Sequence, residues 1–575
     1  MILSSPDRIA DYRRRGWWGD LRVDDLLRKA VADQPGDSPC LLDPLNRTAL
    51  VGGAPKRLSF PDIDRAVDGL AAGFLDLGLH KGDVVAAQMP NIVEGVLLLL
   101  ACARLGLILC PVPMQYREHE LRHILGLVDA RMFVTVPELH GFAHAAMALG
   151  LQDELPGIAH VGVFGAGVPL GAVRLDDLLA GRADRAAVLD YSAKNPIDPM
   201  EVFTICWTSG TEAKPKGVPR NHAQWMANMV ACVECGDLKP GDRLLSPFPM
   251  VNVAAIGGLV LPWLQTQGVL AQHHPFDLPT FLRQIAEEKI NYTIAPPAIL
   301  NMLLKNDAML AQTDVSTMRT MGSGSAPLAP WMVKGWQERF GITVINIFGS
   351  NEGTSLFSTG HDIPDPEERA QYFPRFGVEG ITWPSHCARM IRTRLVDPET
   401  EEEITAPNVP GELRIDGAMK FDGYWNSPDL NATAFDAQGY FKTGDTFEIA
   451  GDGERARYYH FVGRSKEIII RGGVNISPAE LDAVIESHPK LQEAACAGYV
   501  DDRLGERVCA VVVPKPGQDI TLPELVDYLQ SKQMAVYKLP ERLMTMPALP
   551  RNALGKVVRR TLAVEVAKQI AAEMV

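Results

Sequence analysis

Apolar residues recur along this chain in two alternating rhythms. Ile63, Val67, Leu70, Phe74 and Leu77 follow helical spacing, and Ser59 with Asp62 has the form of a capping box, so the pattern predicts a helix over 59–79. Short apolar runs then alternate with further helical stretches: a strand at 84–86, a helix over 92–106, a strand over 107–112, a helix starting at 117–125 and a strand over 132–136. Alternation at this interval predicts βαβ units and a mostly parallel sheet. The longest apolar stretch, 96–112, is interrupted by Arg104 and closed by Pro111 and Pro113. It is too short and too charged for a membrane span, and predicts a buried helix running into a strand.

The pattern resumes further on, with strands predicted over 243–250, 268–271, 291–295, 320–323 and 342–347, and helices over 253–264 and 279–288. Residues 361–375, rich in Asp, Glu and Pro, predict a loop. From about residue 389 the chain changes to short β segments with turns, including 411–415 and 457–462. The last hundred or so residues mix strands (494–500, 508–514) with helices (478–487, 522–532), enough for a small α+β domain. Polar residues at Gly463-Arg464-Ser465-Lys466 interrupt apolar runs on both sides, which sets the expected border: 1–463 and 464–575.

Composition narrows the classes. A length of 575 residues allows several cores, and 46% hydrophobic residues fits a soluble globular protein. The formal charge of −14 argues against nucleic acid as a partner, while leaving room for one nucleotide in a local basic loop. Nine cysteines have no framework spacing, and Cys232 with Cys235 forms a lone CxxC without partners for zinc. They are expected to be ordinary thiols in a reducing cytoplasm. The start of the chain has no apolar leader pattern.

Several stretches carry chemistry. The apolar run Phe203 to Trp207 ends in Thr208-Ser209-Gly210-Thr211, followed by Lys214-Pro215-Lys216-Gly217. Glycines allow close backbone approach, hydroxyls and N–H groups donate, and lysines neutralise charge, so a polyphosphate suits this loop. It lacks the Walker spacing; the plainer alternative is a surface turn with solvated lysines. Asn346-Ile347-Phe348-Gly349-Ser350-Asn351-Glu352 offers an aromatic for a purine and a carboxylate for a hard cation, or else is a strand end with a solvated Glu. Ser323-Gly324-Ser325-Ala326-Pro327-Leu328 is small enough to lie against a flat base. Gly439-Tyr440-Phe441-Lys442-Thr443-Gly444-Asp445 puts a carboxylate at a turn, where Asp usually caps its own backbone. Gly463-Arg464-Ser465-Lys466-Glu467 precedes Arg471-Gly472-Gly473-Val474. Near the end, Leu549-Pro550-Arg551-Asn552-Ala553-Leu554-Gly555-Lys556 presents a lysine that otherwise belongs to a solvated face with Arg559 and Arg560.

Together and in this order, the stretches resemble the adenylate-forming superfamily of acyl-CoA synthetases, carrier-protein adenylation domains and luciferase, and are most like an acyl-CoA synthetase. The resemblance implies an α/β fold: a large N-terminal domain of mixed, mostly parallel sheets wrapped by helices, with a β-rich subdomain, and a small mobile α+β C-terminal domain. It implies ATP, Mg²⁺ and coenzyme A, or a carrier-protein phosphopantetheine in place of the last. Ser209, Gly210, Thr211, Lys214, Lys216, Ser325, Ala326, Pro327, Asn346, Phe348, Gly349, Asp445 and Arg464 would bind the nucleotide. Lys556, Glu352, Asn351 and Thr208 would be catalytic, with Glu352 and Thr211 on the metal. Lys466 would be the hinge, and Gly472-Gly473 a flexible loop lining the thiol channel. Trp225, Met250, Val251, Gly322 and Gly324 would form the acyl pocket.

The chain departs from the family at several of these positions. Glu212-Ala213 replaces the usual Thr-Gly, Asn351 the usual Thr, and Met250 a common His. Val251 stands where hydroxybenzoate-activating members carry Asn, which argues against that substrate. An apolar acid (alicyclic, aryl or medium-chain) is the expected partner, with an acyl carrier protein as the alternative acceptor. A non-catalytic nucleotide-binding relative is the reading from another class, and the retained Lys556, Glu352 and Asp445 argue against it.

Overall fold

Ser59 caps its helix as the spacing predicts. Its Oγ accepts from the Asp62 N–H and the helix runs Phe60–Asp76. The computed structural model describes every residue except 181–183, 209–214, 326, 354, 465–468, 477, 487, 551–556, 558 and 574–575. The described chain separates into two units. One comprises Met1–Met114, Leu125–Trp207 and Gly217–Val462; the other comprises Gln115–Ile124, Thr208–Lys216 and Gly463–Val575.

The first unit contains three sheets among the described residues. In the seven-stranded one, Val84–Ala87 pairs in parallel with Ile108–Pro111 on one side and Ala130–Thr135 on the other. The eight-stranded one is parallel through Thr343–Gly349, Thr320–Gly324, Tyr292–Ile294, Arg243–Ser246 and Val269–Gln272. Antiparallel strands, Ser355–Ser358 and Arg57–Leu58, close its two edges. The third has five strands and is β-rich, with Ile391–Val396, Gly411–Gly417 and Phe441–Ile449 pairing antiparallel.

The apolar stretch 96–112 becomes the buried helix Val93–Leu105, ended by Gly106 in the left-handed region (φ 72°), and then the strand Ile108–Pro111. Its lone charge is accounted for: Arg104 is buried and pairs with Asp24, Asp64 and Asp68 at 3.0, 2.7 and 2.5 Å. Each of these carboxylates offsets part of the desolvation of the guanidinium.

The elements differ from expectation in three places. The strand expected over 243–250 stops at Ser246, because Pro247 and Pro249 remove ladder donors and Asn91 Nδ2 takes the carbonyls of Ser246 (3.1 Å) and Phe248 (2.7 Å). The helix expected over 253–264 contains a π-turn, Ile256–Val260. There Gly257 lies so close to the Asn228 amide that a Cβ would collide with Asn228 Oδ1. The loop expected over 361–375 holds a short helix, Pro366–Gln371, and a strand, Tyr372–Pro374. Asp365 caps that helix by accepting from the N–H groups of Glu367 and Glu368.

In the second unit, Leu491–Asp501 and Gly505–Pro514 form a long antiparallel pair. Alternation sorts their side chains: Ala494, Cys496, Val508 and Val512 share a core with Leu481 and Leu525, while Ala495, Ala497, Cys509 and Val511 share another with Leu562 and Val566. Within the same unit Lys538 Nζ pairs with Glu120 at 3.1 Å, both side chains being buried.

Candidate active site

Parallel strands of the eight-stranded sheet end together at Gly324 and Gly349, paired in register as Gly324 with Ile347. Gly324 has to be glycine, since a Cβ would collide with the Ile347 carbonyl oxygen. At Gly322 a Cβ would come within 2.8 Å of Ile347 and 3.0 Å of the Tyr292 hydroxyl. The crevice at the carboxyl ends of such strands is where open α/β sheets bind ligands.

Just past the strand end, Asn351 ties the site to the glycine-rich stretch. Its Nδ2 donates to the Trp207 carbonyl at 3.0 Å, at the end of the strand Val202–Thr208. Its Oδ1 accepts from the Val253 N–H at 2.9 Å. Asn351 therefore holds together three segments that the sequence placed in one site. Asn346 is buried, and its Nδ2 donates to the carbonyls of Ala370 (2.9 Å) and Arg369 (3.3 Å), which leaves Oδ1 as the acceptor an exocyclic amine requires. Phe348 is half-buried, edge-on to Phe447 at 5.1 Å.

Glu352 is buried, and its Oε1 accepts from the Tyr424 hydroxyl at 2.9 Å. Burial, and then the Glu352 charge, raise the Tyr424 pKa, so the phenol stays protonated and remains a donor. The Phe421 N–H donates to the Glu352 carbonyl at 2.9 Å. The segment 417–424 that supplies both groups is itself gripped from outside. Arg8 donates to the carbonyls of Gly417 (3.2 Å), Lys420 (2.7 Å) and Phe421 (3.4 Å). Trp18 Nε1 donates to Ala418 O at 2.9 Å, Arg220 to Met419 O at 2.8 Å and Gln224 to Lys420 O at 2.9 Å.

Arg220 is fully buried, lies 4.5 Å from the Trp225 ring centroid and makes no ion pair among the described residues. Burial pushes its pKa down to about 10, with the Glu352 charge among the influences that hold it up. The roles of Tyr424 and Arg220 were not read from the sequence. The usable signal for Arg220 was a charge placed between the apolar Val218-Pro219 and the helix cap Asn221.

Of the other expected site residues, Lys216 opens the strand Lys216–Asn221 and Thr208 ends Val202–Thr208. Ser325 is exposed with φ 72°, Pro327 and Gly349 are exposed, and Asp445 is half-buried. Trp225 is a core side chain whose Nε1–H goes to Thr204 Oγ1 at 2.9 Å. Met250 and Val251 lie in the loop after Ser246. Ser209, Gly210, Thr211, Lys214, Ala326, Lys466 and Lys556 lie outside the described residues, and Arg464 ends the strand Tyr458–Arg464.

Gly472-Gly473, expected as a flexible loop, is a tight turn. Both residues have positive φ (57° and 81°) and join the paired strands Ile469–Arg471 and Val474–Ile476. Positive φ at both central positions is what a two-residue hairpin of this hand requires.

The AMP-binding enzyme family matches residues 32–425, and the AMP-binding enzyme C-terminal domain matches 480–556. The chain belongs to the AMP-binding enzymes. Within this adenylate-forming superfamily it is most like the acyl-CoA synthetases. It is 27% identical to a medium-chain fatty-acid–CoA ligase of Escherichia coli (strain K12) over 98% of this chain and 94% of that protein. It is 30% identical to an oxalate–CoA ligase of Arabidopsis thaliana over 87% of this chain and 91% of that protein. Among solved structures, apo MbtA of Mycobacterium smegmatis superposes with a TM-score of 0.69 at 26% identity, covering 97% of this chain and 98% of that one. Like other AMP-binding enzymes the chain combines parallel and antiparallel sheets with helices, and no described helix is long and apolar enough to cross a membrane.

Proposed function

We propose that this AMP-binding enzyme is an acid–thiol ligase for an apolar carboxylic acid. The carboxylate attacks the α-phosphate of ATP, giving an acyl-adenylate and pyrophosphate, and the thiol of coenzyme A then displaces AMP. The observation that carries the reading is the Asn351 bridge, which joins the end of the strand entering the glycine-rich loop to the segment bearing Phe348 and Glu352. No protein nucleophile is required. Positioning and charge neutralisation supply the acceleration.

Each of the chain's own groups has a task in this scheme. Ser325, Ala326 and Pro327 lie against the purine, and Phe348 packs on it. Asn346 accepts from the exocyclic amine, and Asp445 takes the ribose hydroxyls. Lys556, carried on the C-terminal part of the chain, neutralises the carboxylate and α-phosphate in the first step, and Lys466 is the pivot about which that part turns between steps.

A magnesium ion fits Glu352. The carboxylate is an oxygen donor free of ion pairs among the described residues, oriented through one oxygen by Tyr424. No group of three metal-binding side chains stands among the described residues, so the phosphates would complete the shell, as is usual for Mg²⁺. When bound, the ion supplies charge neutralisation at the phosphates. Glu352 and Thr211 are the residues assigned to hold it.

The acid class is supported by the apolar neighbours of Met250 and Val251 (Met89, Leu98 and Leu109) and of Gly322 (Ile294 and Ile347). The test is AMP release from Mg-ATP across a panel of carboxylates, with and without coenzyme A. Strong stimulation by coenzyme A with one apolar class is the expected result. Acid-dependent pyrophosphate release that coenzyme A fails to accelerate would replace the acceptor with a carrier-protein phosphopantetheine.

A further inference from the structure

The helix Glu118–Val128 passes from one unit into the other: its residues up to Ile124 belong to the second, and those from Leu125 belong to the first. Its far end is held in the first unit, where Asn426 Nδ2 donates to the Leu127 carbonyl at 3.3 Å and the chain runs on into the strand Ala130–Thr135. Its near end carries Glu120, a buried carboxylate with both oxygens engaged. Oε2 accepts from the Arg117 N–H at 3.0 Å, and Oε1 accepts from Lys538 Nζ at 3.1 Å. Lys538 ends the short turn Val536–Lys538 and is itself only 2% exposed, with the Tyr116 ring centroid 5.3 Å from its ammonium.

Desolvating two charges cancels most of what their attraction returns, so such a pair adds little to stability over an apolar contact of the same size. Its distinction is the way it comes apart. Separated apolar faces meet water unfavourably, whereas a carboxylate and an ammonium are well hydrated once apart. Arg117 also fixes one carboxylate oxygen, which gives the pair a single geometry. A contact of this kind suits a joint that closes in one register and opens again in each turnover. One turn along the same helix face, His123 Nε2 lies 3.4 Å from the Pro215 carbonyl, at the exit of the glycine-rich loop and immediately before Lys216. Positions i and i+3 of one helix thus meet the C-terminal lysine and the loop assigned to the phosphates.

We infer that Glu120 and Lys538 form a latch that holds the C-terminal part of the chain in the arrangement for acyl-adenylate formation, registered on the phosphate loop through His123, and that the latch opens for the thioester step. Both are positioning residues, acting through the placement of Lys556. The latch rests on the two-step ligase reading above and adds to it the contact that tells the two arrangements apart.

The test compares the wild type with Glu120→Gln/Lys538→Met, in which neither charge is left buried alone. Acid-dependent ATP–pyrophosphate exchange reads the first step, with octanoate, benzoate and cyclohexanecarboxylate as the acids. Release of AMP from the enzyme-bound adenylate on mixing with coenzyme A reads the second. Exchange is expected to fall about tenfold, with the second step within about threefold of wild type and the urea unfolding midpoint retained. A merely structural role would slow both steps alike.

Exchange within about twofold of wild type, or an equal fall in both steps, overturns the latch. If the wild type activates none of the three acids, the apolar-acid reading fails instead. The latch is then judged by amide hydrogen exchange of residues 118–124 with Mg-ATP alone, where the wild type should be protected about tenfold more than the double variant. Equal protection in the two proteins again overturns it.

Discussion

Replacing Tyr424 by Phe removes one hydroxyl and leaves the ring packing of Phe421 (4.9 Å between centroids) in place. The lost bond is the 2.9 Å contact to Glu352 Oε1, in a setting where both residues are only 7% exposed. A buried hydrogen bond to a charged acceptor is worth about 1.5–3 kcal/mol. If that energy serves to hold the carboxylate in its working orientation, its loss corresponds to about 10- to 100-fold in rate at 1.4 kcal/mol per decade. The assay is ATP–pyrophosphate exchange titrated with Mg²⁺ at fixed ATP, beside denaturant unfolding of the same variant. The expected outcome is a fall of that size in kcat/KM for ATP, with a raised Mg²⁺ requirement and an unfolding midpoint only slightly lowered. Exchange within twofold of wild type at every Mg²⁺ concentration would refute the reasoning and reduce Tyr424 to a packing residue.

Gly324→Ala is expected to abolish exchange and to cost about 2–4 kcal/mol, because the obstacle is the backbone carbonyl of Ile347 rather than a movable side chain. Gly36→Ala, where a Cβ meets nothing within 4 Å, is the control and should stay within about 0.5 kcal/mol of wild type in urea unfolding. His222 and His274 are buried and pushed down from 6.5 to about 3 by burial, so the unfolded chain takes up their protons first. Stability is then complete above pH 6.5 and is lost as the pH falls toward 3, with each histidine costing about 2 kcal/mol between pH 7 and pH 5. His222→Gln should flatten the dependence of the unfolding midpoint on pH over that window, and an unaltered slope would contradict the assignment.

Much of this arrangement was legible in the sequence, for a physical reason. Helical spacing, capping pairs and glycines beside charged or aromatic residues act locally, and local patterns survive in a one-dimensional reading. Ser59 with Asp62 and the apolar stretch ending at Gly106 are of this kind. What the sequence concealed depends on partners far along the chain. Arg104 reads as an interruption until Asp24, Asp64 and Asp68 are brought to it. Gly472-Gly473 reads as slack until strand pairing on both sides makes it a turn. Residues 361–375 read as loop because Asp and Pro mark turns, yet the same two residue types start a helix when Asp365 caps and Pro366 follows. Asn351 looked like a longer substitute for Thr, and nothing local indicates that its amide bridges Trp207 and Val253.

The grip of Arg8 and Trp18 on residues 417–421 also bears on how the chain is made. The carbonyls they hold lie some four hundred positions further along, so this clasp cannot close until residue 421 has been made, whereas Met1 and Ser4 find partners already at Val202 and Asn221. At about 5–20 residues per second that wait is about 20–80 s. Throughout it the bonds of Tyr12 to Asp416 and of Trp18 to Ala418 are unmade. The support beneath Glu352 is therefore completed late in synthesis, and a nascent chain halted short of residue 417 lacks this clasp.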